Sequence, residues 1–238
     1  MIPQFTKPLN EGEIQARILH RDAMMLVIDK PAGIAVHVTG HDSVALDQAF
    51  HHLQFGLPKR PELVHRLDRG TSGCLVLGRH RQALIKLGKL FETQRVVKRY
   101  RAICVGVPED ARGTITRSIL KTGQGSLWKM QLDDAGQTAI TDYEVLRPLA
   151  GETLSEIVFM PRTGRTHQIR LHAAYALGCP VVGDPFYGAR EGPYSASQSP
   201  MLLHAETIEI PLYTTKPPVV VHAPLPATFK ALSDETAA

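Results

Sequence analysis

The chain has 238 residues, 43% of them hydrophobic, with 27 Lys+Arg against 23 Asp+Glu and a formal net charge of +4. A chain of this length buries a continuous core without disulfides or metal staples, so disorder as the main state is excluded. The charge is mild, and accommodates a polyanionic partner without requiring one.

No apolar run reaches the roughly 18 residues of a membrane-spanning helix, and the start MIPQFTKPLNEGE lacks the charged and apolar regions of a signal peptide. The expectation is a soluble, cytoplasmic protein. Residues 1–17 are polar and read as a flexible N-terminal arm, with residues 18–238 as one catalytic-sized domain. The apolar run Met24 to Ile28 predicts a strand that enters a turn at Lys30-Pro31-Ala32-Gly33. A weakly periodic helix follows between Ser43 and Phe55. Cys74 to Leu77 is wholly apolar, as in a strand buried on both faces. Ala83, Leu84, Leu87, Leu90 and Phe91 then form the stripe of an amphipathic helix.

From Lys98 to Val105 the pattern is again a strand, with Tyr100, Ala102 and Cys104 on one face and Arg99 and Arg101 on the other. Residues 113–147 hold two or three strands, the last over Thr138 to Val145, and residues 154–160 another. A helix over Thr166 to Leu177 is ended by Gly178 and Pro180. Strands at Leu202 to Ile210 and Val219 to His222 precede a helix after Pro226. Strands dominate and do not alternate regularly with helices, so the class is α+β with a mixed, largely antiparallel sheet and flanking helices. Cys74, Cys104 and Cys179 have no C-x-x-C spacing and read as apolar core residues.

Two basic clusters carry chemistry. Val64 to Gly73 places Asp68 between Arg66 and Arg69, in a loop that ends Gly-Thr-Ser-Gly before a buried strand. Nearby guanidinium groups favour the ionised carboxylate, which serves as a nucleophile or base at neutral pH. The bland alternative is an aspartate that caps a turn between solvated arginines. Pro161 to His172 gathers Arg162, Arg165, Arg170, His167 and His172 around a helix start, where backbone N–H groups and basic side chains suit a phosphate. Arg170 is placed to reach a carboxylate as a bidentate partner.

The segments DKPAGIAVH (Asp29 to His37), HRLDRGTSG (His65 to Gly73), KRYRA (Lys98 to Ala102) and GRTHQIRLH (Gly164 to His172), with GDPFYG and LLHA downstream, resemble the RluA-type family of RNA pseudouridine synthases. The resemblance runs from about residue 19 to residue 224 in the family's order. It implies a pseudouridine synthase fold with a central active-site cleft, and isomerisation of a uridine within RNA: the C1′–N1 bond breaks, the base turns, and C1′ is rejoined to C5. It also implies Asp68 as the catalytic aspartate, Tyr100 as the tyrosine that stacks on the base and handles the C5 proton, and Arg170 as the arginine paired with the aspartate. Arg66 matches the residue that enters the RNA stack when the target leaves it. The RNA-facing set is His65, Arg66, Arg69, Lys98, Arg162, Arg165 and His167.

No cofactor and no metal is implied, and the partner is RNA, either tRNA or 23S-type ribosomal RNA, with a monomer and no protein partner expected. Only about 17 residues precede the first matched strand, which leads to the expectation that an S4-type RNA-binding domain is absent. The rival from another class is a non-catalytic RNA-binding or ribosome-assembly factor on the same fold, against which the joint presence of Asp68, Tyr100 and Arg170 speaks. His37 and His41 have zinc-ligand spacing, but Gly40 argues against the helix this would need. The basic stretch from Lys86 to Arg101 is a solvated face or an RNA-tracking surface. Trp128 is read as core or as a stacking residue in a hairpin.

Overall fold

The computed structural model describes residues 5–38, 44–123 and 129–234. His41 and Trp128 lie outside the described residues. In chain order the elements are α1 (Glu11–Gln15), β1 (Ile18–Arg21), β2 (Met25–Lys30), a 3₁₀ helix (Leu46–Leu53), β3 (Glu62–Leu63), β4 (Ser72–Gly78), α2 (Arg81–Glu92), β5 (Val97–Val105) and β6 (Arg112–Thr116). There follow β7 (Ile119–Thr122), β8 (Lys129–Leu132), β9 (Ile140–Leu149), β10 (Leu154–Pro161), α3 (Gln168–Leu171, continued as a π-helix over His172–Ala176), β11 (Leu203–Ile210), β12 (Val219–His222) and α4 (Ala227–Asp234). No helix among the described residues is long and apolar enough to cross a membrane.

The chain divides into two compact units. One consists of Ile2–Val97 and Ala205–Pro224 and contains Asp68; the other holds Lys98–His204 and Leu225–Ala238 and contains Tyr100 and Arg170. Within the polar stretch read as an arm, α1 forms because Asn10 and Glu13 make a reciprocal capping box. Asn10 Oδ1 accepts from the Glu13 N–H at 3.0 Å, and Glu13 accepts from the Asn10 N–H at 2.8 Å. One apolar residue, the fully buried Ile14, ties this turn down.

The Asp68 unit is an antiparallel sheet in which β2 pairs with both β1 and β4, at Val27↔His20 and Val27↔Val76. β12 lies on β11 with Ile208 opposite Val221. The stripe of α2 buries Ala83, Leu87 and Leu90 among Met25, Val27, Cys74, Val76, Ile208 and Ile210. Because side chains alternate across a strand, Leu26, Ile28, Leu75 and Leu77 face the other way, and they too are fully buried. The continuous apolar run of β4 therefore reports burial on both faces. The Cys74 thiol points at the Glu206 and Val221 carbonyls, and burial pushes its pKa up to about 12.

In the second unit β5, β10, β9 and β6 are successive antiparallel neighbours. Ala102 and Cys104 of β5, with Tyr100 packed beside them, share a cluster with Ile157, Phe159, Ile169 and Ala173. Ile103 turns to the opposite cluster, with Leu154, Leu202 and Phe229 of α4. The helix expected over Thr166 to Leu177 is shorter and changes pitch: it starts at Gln168 and widens at His172, where the Leu177 N–H reaches back five residues to the His172 carbonyl at 3.0 Å. Gly178 ends it with φ 68°, the left-handed conformation that suits glycine.

Candidate active site

Asp68 occupies the first position of a tight turn closed by the Thr71 N–H on the Asp68 carbonyl at 3.1 Å. Leu67 beside it is buried, Asp68 itself half-buried, and Arg66 and Arg69 are exposed. The turn is fixed from below by the loop that follows β2. The Gly33 N–H donates to the Arg69 carbonyl at 2.8 Å, and Arg69 Nε returns a hydrogen bond to the Gly33 carbonyl at 3.0 Å.

Lys30 completes this clamp. Its side chain is fully buried, with Nζ donating to the carbonyls of Pro31 (2.9 Å), Arg69 (3.1 Å) and Thr71 (2.8 Å). Two of these carbonyls follow Asp68 by one and three residues, so one ammonium group sets the path of the chain on the C-terminal side of the carboxylate. Burial pushes the Lys30 pKa down to about 7, while the negative charges of Asp68 and Asp29 pull it back and Arg69 adds to the fall. Sequence reasoning placed Lys30 only in a turn. The available signal was a lysine at the inward-facing end of an apolar strand, where a cation needs dedicated acceptors.

At the end of the same loop, Gly73 has φ 103°, and a Cβ there would lie 2.3 Å from the Ala205 carbonyl oxygen. A side chain would push β4 away from β11. His65 braces the loop's start: its Nε2 accepts the Val76 N–H at 3.0 Å, and its ring stacks on Phe91 with centroids 4.6 Å apart.

In the other unit, Tyr100 lies half-buried on β5 opposite Phe159 of β10. Lys98, two residues earlier, donates to the Thr163 carbonyl at 3.4 Å, and burial lowers its pKa to about 8. Arg101 pairs with the buried Glu156 at 3.0 Å, which also receives Arg147 at 2.9 Å. The basic run around Tyr100 is thus partly committed within the protein.

The Pro161 to His172 segment is organised by Gln168, which the sequence reading passed over. Gln168 Oε1 accepts from the Thr163 hydroxyl (2.7 Å) and the Arg165 N–H (3.0 Å), and its amide donates to the Ile140 carbonyl (3.0 Å) and Thr141 Oγ1 (2.9 Å). Arg162 forks onto Asp142 at 2.6 and 2.8 Å, and this guanidinium holds the Asp142 carboxyl below the usual carboxylate range. Arg165 Nε donates to the Thr138 carbonyl at 3.3 Å. His167 adopts a left-handed backbone with φ 58° and meets the Tyr187 hydroxyl at 2.7 Å. His172 is fully buried between Thr141 Oγ1 and the Arg117 carbonyl, and burial lowers its pKa.

Arg170 finds its bidentate carboxylate in Asp184, with Nε at 2.6 Å and Nη2 at 2.7 Å. Asp184 Oδ1 also accepts the N–H groups of Phe186 and Tyr187 at 2.9 and 3.1 Å. Burial acts to raise the Asp184 pKa, and these donors outweigh it and keep the carboxyl below its ordinary value. The GDPFYG segment was legible as a motif, and its role lies in this fork.

The profile of the RNA pseudouridylate synthase family matches residues 24–175. An RNA pseudouridine synthase of Zymomonas mobilis, itself described as uncharacterised, is 43% identical over 217 residues that span 91% of this chain and 96% of that protein. The ribosomal large subunit pseudouridine synthase C of Rickettsia prowazekii is 36% identical over 215 residues, 89% of this chain and 69% of its own. Among solved structures, human RNA pseudouridylate synthase domain containing 4 superimposes with a TM-score of 0.79 at 25% identity, covering 95% of each chain. The chain belongs to the RNA pseudouridylate synthase family, a class of isomerases, as its motifs suggested. Its α+β construction on antiparallel sheets is that of the family's fold.

Proposed function

We propose that this enzyme converts a specific uridine to pseudouridine within RNA, with large-subunit ribosomal RNA favoured over tRNA as the substrate class. The observation that carries the reading is the buried Lys30 clamp, which holds the Asp68 turn at the Arg69 and Thr71 carbonyls and ties it to the Pro31 carbonyl of the loop after β2. A binding protein needs arginines; it has no need to fix one carboxylate so closely. Relatives named ribosomal large subunit pseudouridine synthase C in Rickettsia prowazekii and D in Pseudomonas aeruginosa, each 36% identical, support the ribosomal substrate.

The chemistry follows from the residue types. Uridine inside structured RNA is inaccessible, and its extrusion costs a few kcal/mol, which Arg66 offsets by filling the gap in the stack. Asp68 acts on the sugar, by attack at C1′ or by taking the C2′ proton, and the C1′–N1 bond breaks. The uracil turns on the flat face of Tyr100 and C5 bonds to C1′ as the Asp68 ester bond breaks or, on the other route, as Asp68 returns the proton to C2′; the C5 proton then leaves as N1 regains one. Tyr100 combines a stacking surface with a weak acid–base group of pKa about 10. No redox step enters this sequence.

The test is tritium release from 5-tritiated uridine in RNA. Asp68→Asn abolishes release while RNA affinity stays within a few fold. Unchanged release in that variant overturns the assignment, as does the appearance of free uracil or cut strands. Mapping carbodiimide-reactive pseudouridines in total RNA with and without the gene then identifies the position.

A further inference from the structure

We propose that a groove beside the Arg170–Asp184 pair is a stacking subsite for an unpaired nucleobase of the substrate RNA, separate from the target uridine. The proposal rests on the reading of the chain as an RNA-modifying enzyme. The groove has a volume of about 810 Å³, and its lining includes Arg117, Lys129, His167, Tyr175, Phe186 and Tyr187. All of these belong to the unit that contains Tyr100, and Tyr100 is not among the residues that line the groove.

Two of the rings are unusually open: Phe186 is 71% exposed and Tyr175 61%. Large aromatic side chains left in water at a concave site mark a binding surface. They are also held in place beforehand. Asp184 fixes the backbone N–H groups of Phe186 and Tyr187, and the Tyr187 hydroxyl is bonded to His167. The Phe186 ring rests against the His167 ring at 5.7 Å and the Arg170 guanidinium at 5.4 Å, and Tyr175 meets Tyr187 edge-on at 6.1 Å. A ring backed by an imidazole and a cation, with its remainder open, is a platform on which a base stacks at little further entropic cost.

The charge of the groove selects the ligand further. Arg117 and Lys129 are exposed cations, and among the described residues no Asp or Glu lines the groove. Stacking faces next to cations with no acidic side chain are the combination by which single-stranded nucleic acid is held, base on ring and phosphate on ammonium or guanidinium. The volume exceeds what a single flat base requires, leaving room for its ribose and phosphate. An unpaired nucleotide flanking the modified uridine meets these demands, whereas a paired base shows no free face.

The experiment uses the full chain and a short fluorescein-labelled single-stranded oligouridylate, with a blunt RNA duplex of equal length as the second probe. Phe186→Ala and Tyr175→Ala each weaken single-strand binding by about tenfold, and Phe186→Trp restores it to within about twofold. Duplex affinity changes by less than about twofold in all three. Arg117→Ala lowers the slope of log affinity against log salt on the single strand by about 0.7. Both rings are mostly in solvent, so the variants keep the fold, which thermal unfolding checks. Unchanged single-strand affinity in the Phe186→Ala/Tyr175→Ala double variant overturns the subsite and leaves the groove to another ligand such as an acidic peptide. Tritium release by the wild type is scored separately. Its absence from every RNA tested, with stacking intact, strikes the enzymatic reading and supports the subsite as a binding feature alone.

Discussion

The carboxylate of Asp184 takes both Nε and Nη2 of Arg170, at 2.6 and 2.7 Å, in a pair whose side chains are 0% and 4% exposed. The fork fixes the plane of the guanidinium, and the two backbone N–H groups that Asp184 also accepts tie it to the Phe186–Tyr187 loop. Asp184→Asn keeps the shape but sets an amide N–H₂ against an arginine donor. Breaking a buried pair from one side costs about 3–5 kcal/mol. The expected result is a lower urea midpoint and a fall in kcat with RNA affinity within a few fold. An equal loss in binding and turnover would show a purely structural role.

The same pair makes stability depend on acid. The folded pKa of Asp184 lies below its value in the unfolded chain, so its contribution is present above about pH 4 and is lost as pH falls through the folded value. Unfolding free energies measured down the acid limb should therefore fall less steeply in Asp184→Asn than in the wild type.

Lys30 behaves in the opposite range. Its folded pKa of about 7 is below the roughly 10.4 of an unfolded lysine, so between these values the unfolded chain binds more protons. Stability from this group rises as pH increases from about 7 to about 10, and is lost again on return to about 7. Lys30→Met removes that slope, which urea titrations across the range detect. It also strips three carbonyls of their donor, of which the Thr71 contact is buried, at about 1–3 kcal/mol for a buried group left unsatisfied. Loosening of the Asp68 turn should cost up to about a hundredfold in kcat/KM.

Local periodicity made much of this architecture readable. The stripe of α2, the doubly buried β4 and the Tyr100–Ala102–Cys104 face follow from spacing alone, since each depends on how neighbouring residues share a surface. Lys30, Gln168 and Asp184 did not yield to the same reasoning. Lys30 is explained by carbonyls about forty residues away, Gln168 by Ile140 and Thr141, and Asp184 by a guanidinium fourteen positions earlier. The π-helical widening after Leu171 has no pattern in composition, and α1 needed the Asn10–Glu13 capping pair to be noticed within a polar stretch.

Two glycines in the matched motifs should respond very unequally to alanine. Gly73 combines φ 103° with a Cβ position 2.3 Å from the Ala205 oxygen, whereas a Cβ at Gly164 meets nothing within 4 Å. Gly73→Ala carries both backbone strain and overpacking, each about 1–3 kcal/mol, and is expected to lower the denaturation midpoint sharply. Gly164→Ala should leave stability within about 1 kcal/mol, in either direction. Comparable losses at both sites would refute the close approach of β4 to Ala205.

Charge on the residues proposed to face RNA is distributed unevenly, and salt dependence reads it. Arg66 is exposed, whereas Arg162, itself 59% exposed, has both ends of its fork on Asp142. A phosphate that approaches Arg162 meets a guanidinium already shared with a carboxylate, and it competes with that carboxylate for the same donors. Each arginine that neutralises one phosphate contributes about 0.9 to the slope of log affinity against log salt on duplex nucleic acid, and about 0.7 on single strands. Arg66→Ala should lower the slope by nearly that amount and Arg162→Ala by clearly less. Asp142→Asn releases the Arg162 charge, so affinity and slope should both increase. Fluorescence anisotropy titrations across a salt series separate these cases. If Asp142→Asn leaves both quantities unchanged, Arg162 is a structural arginine that serves β9 and has no contact with RNA.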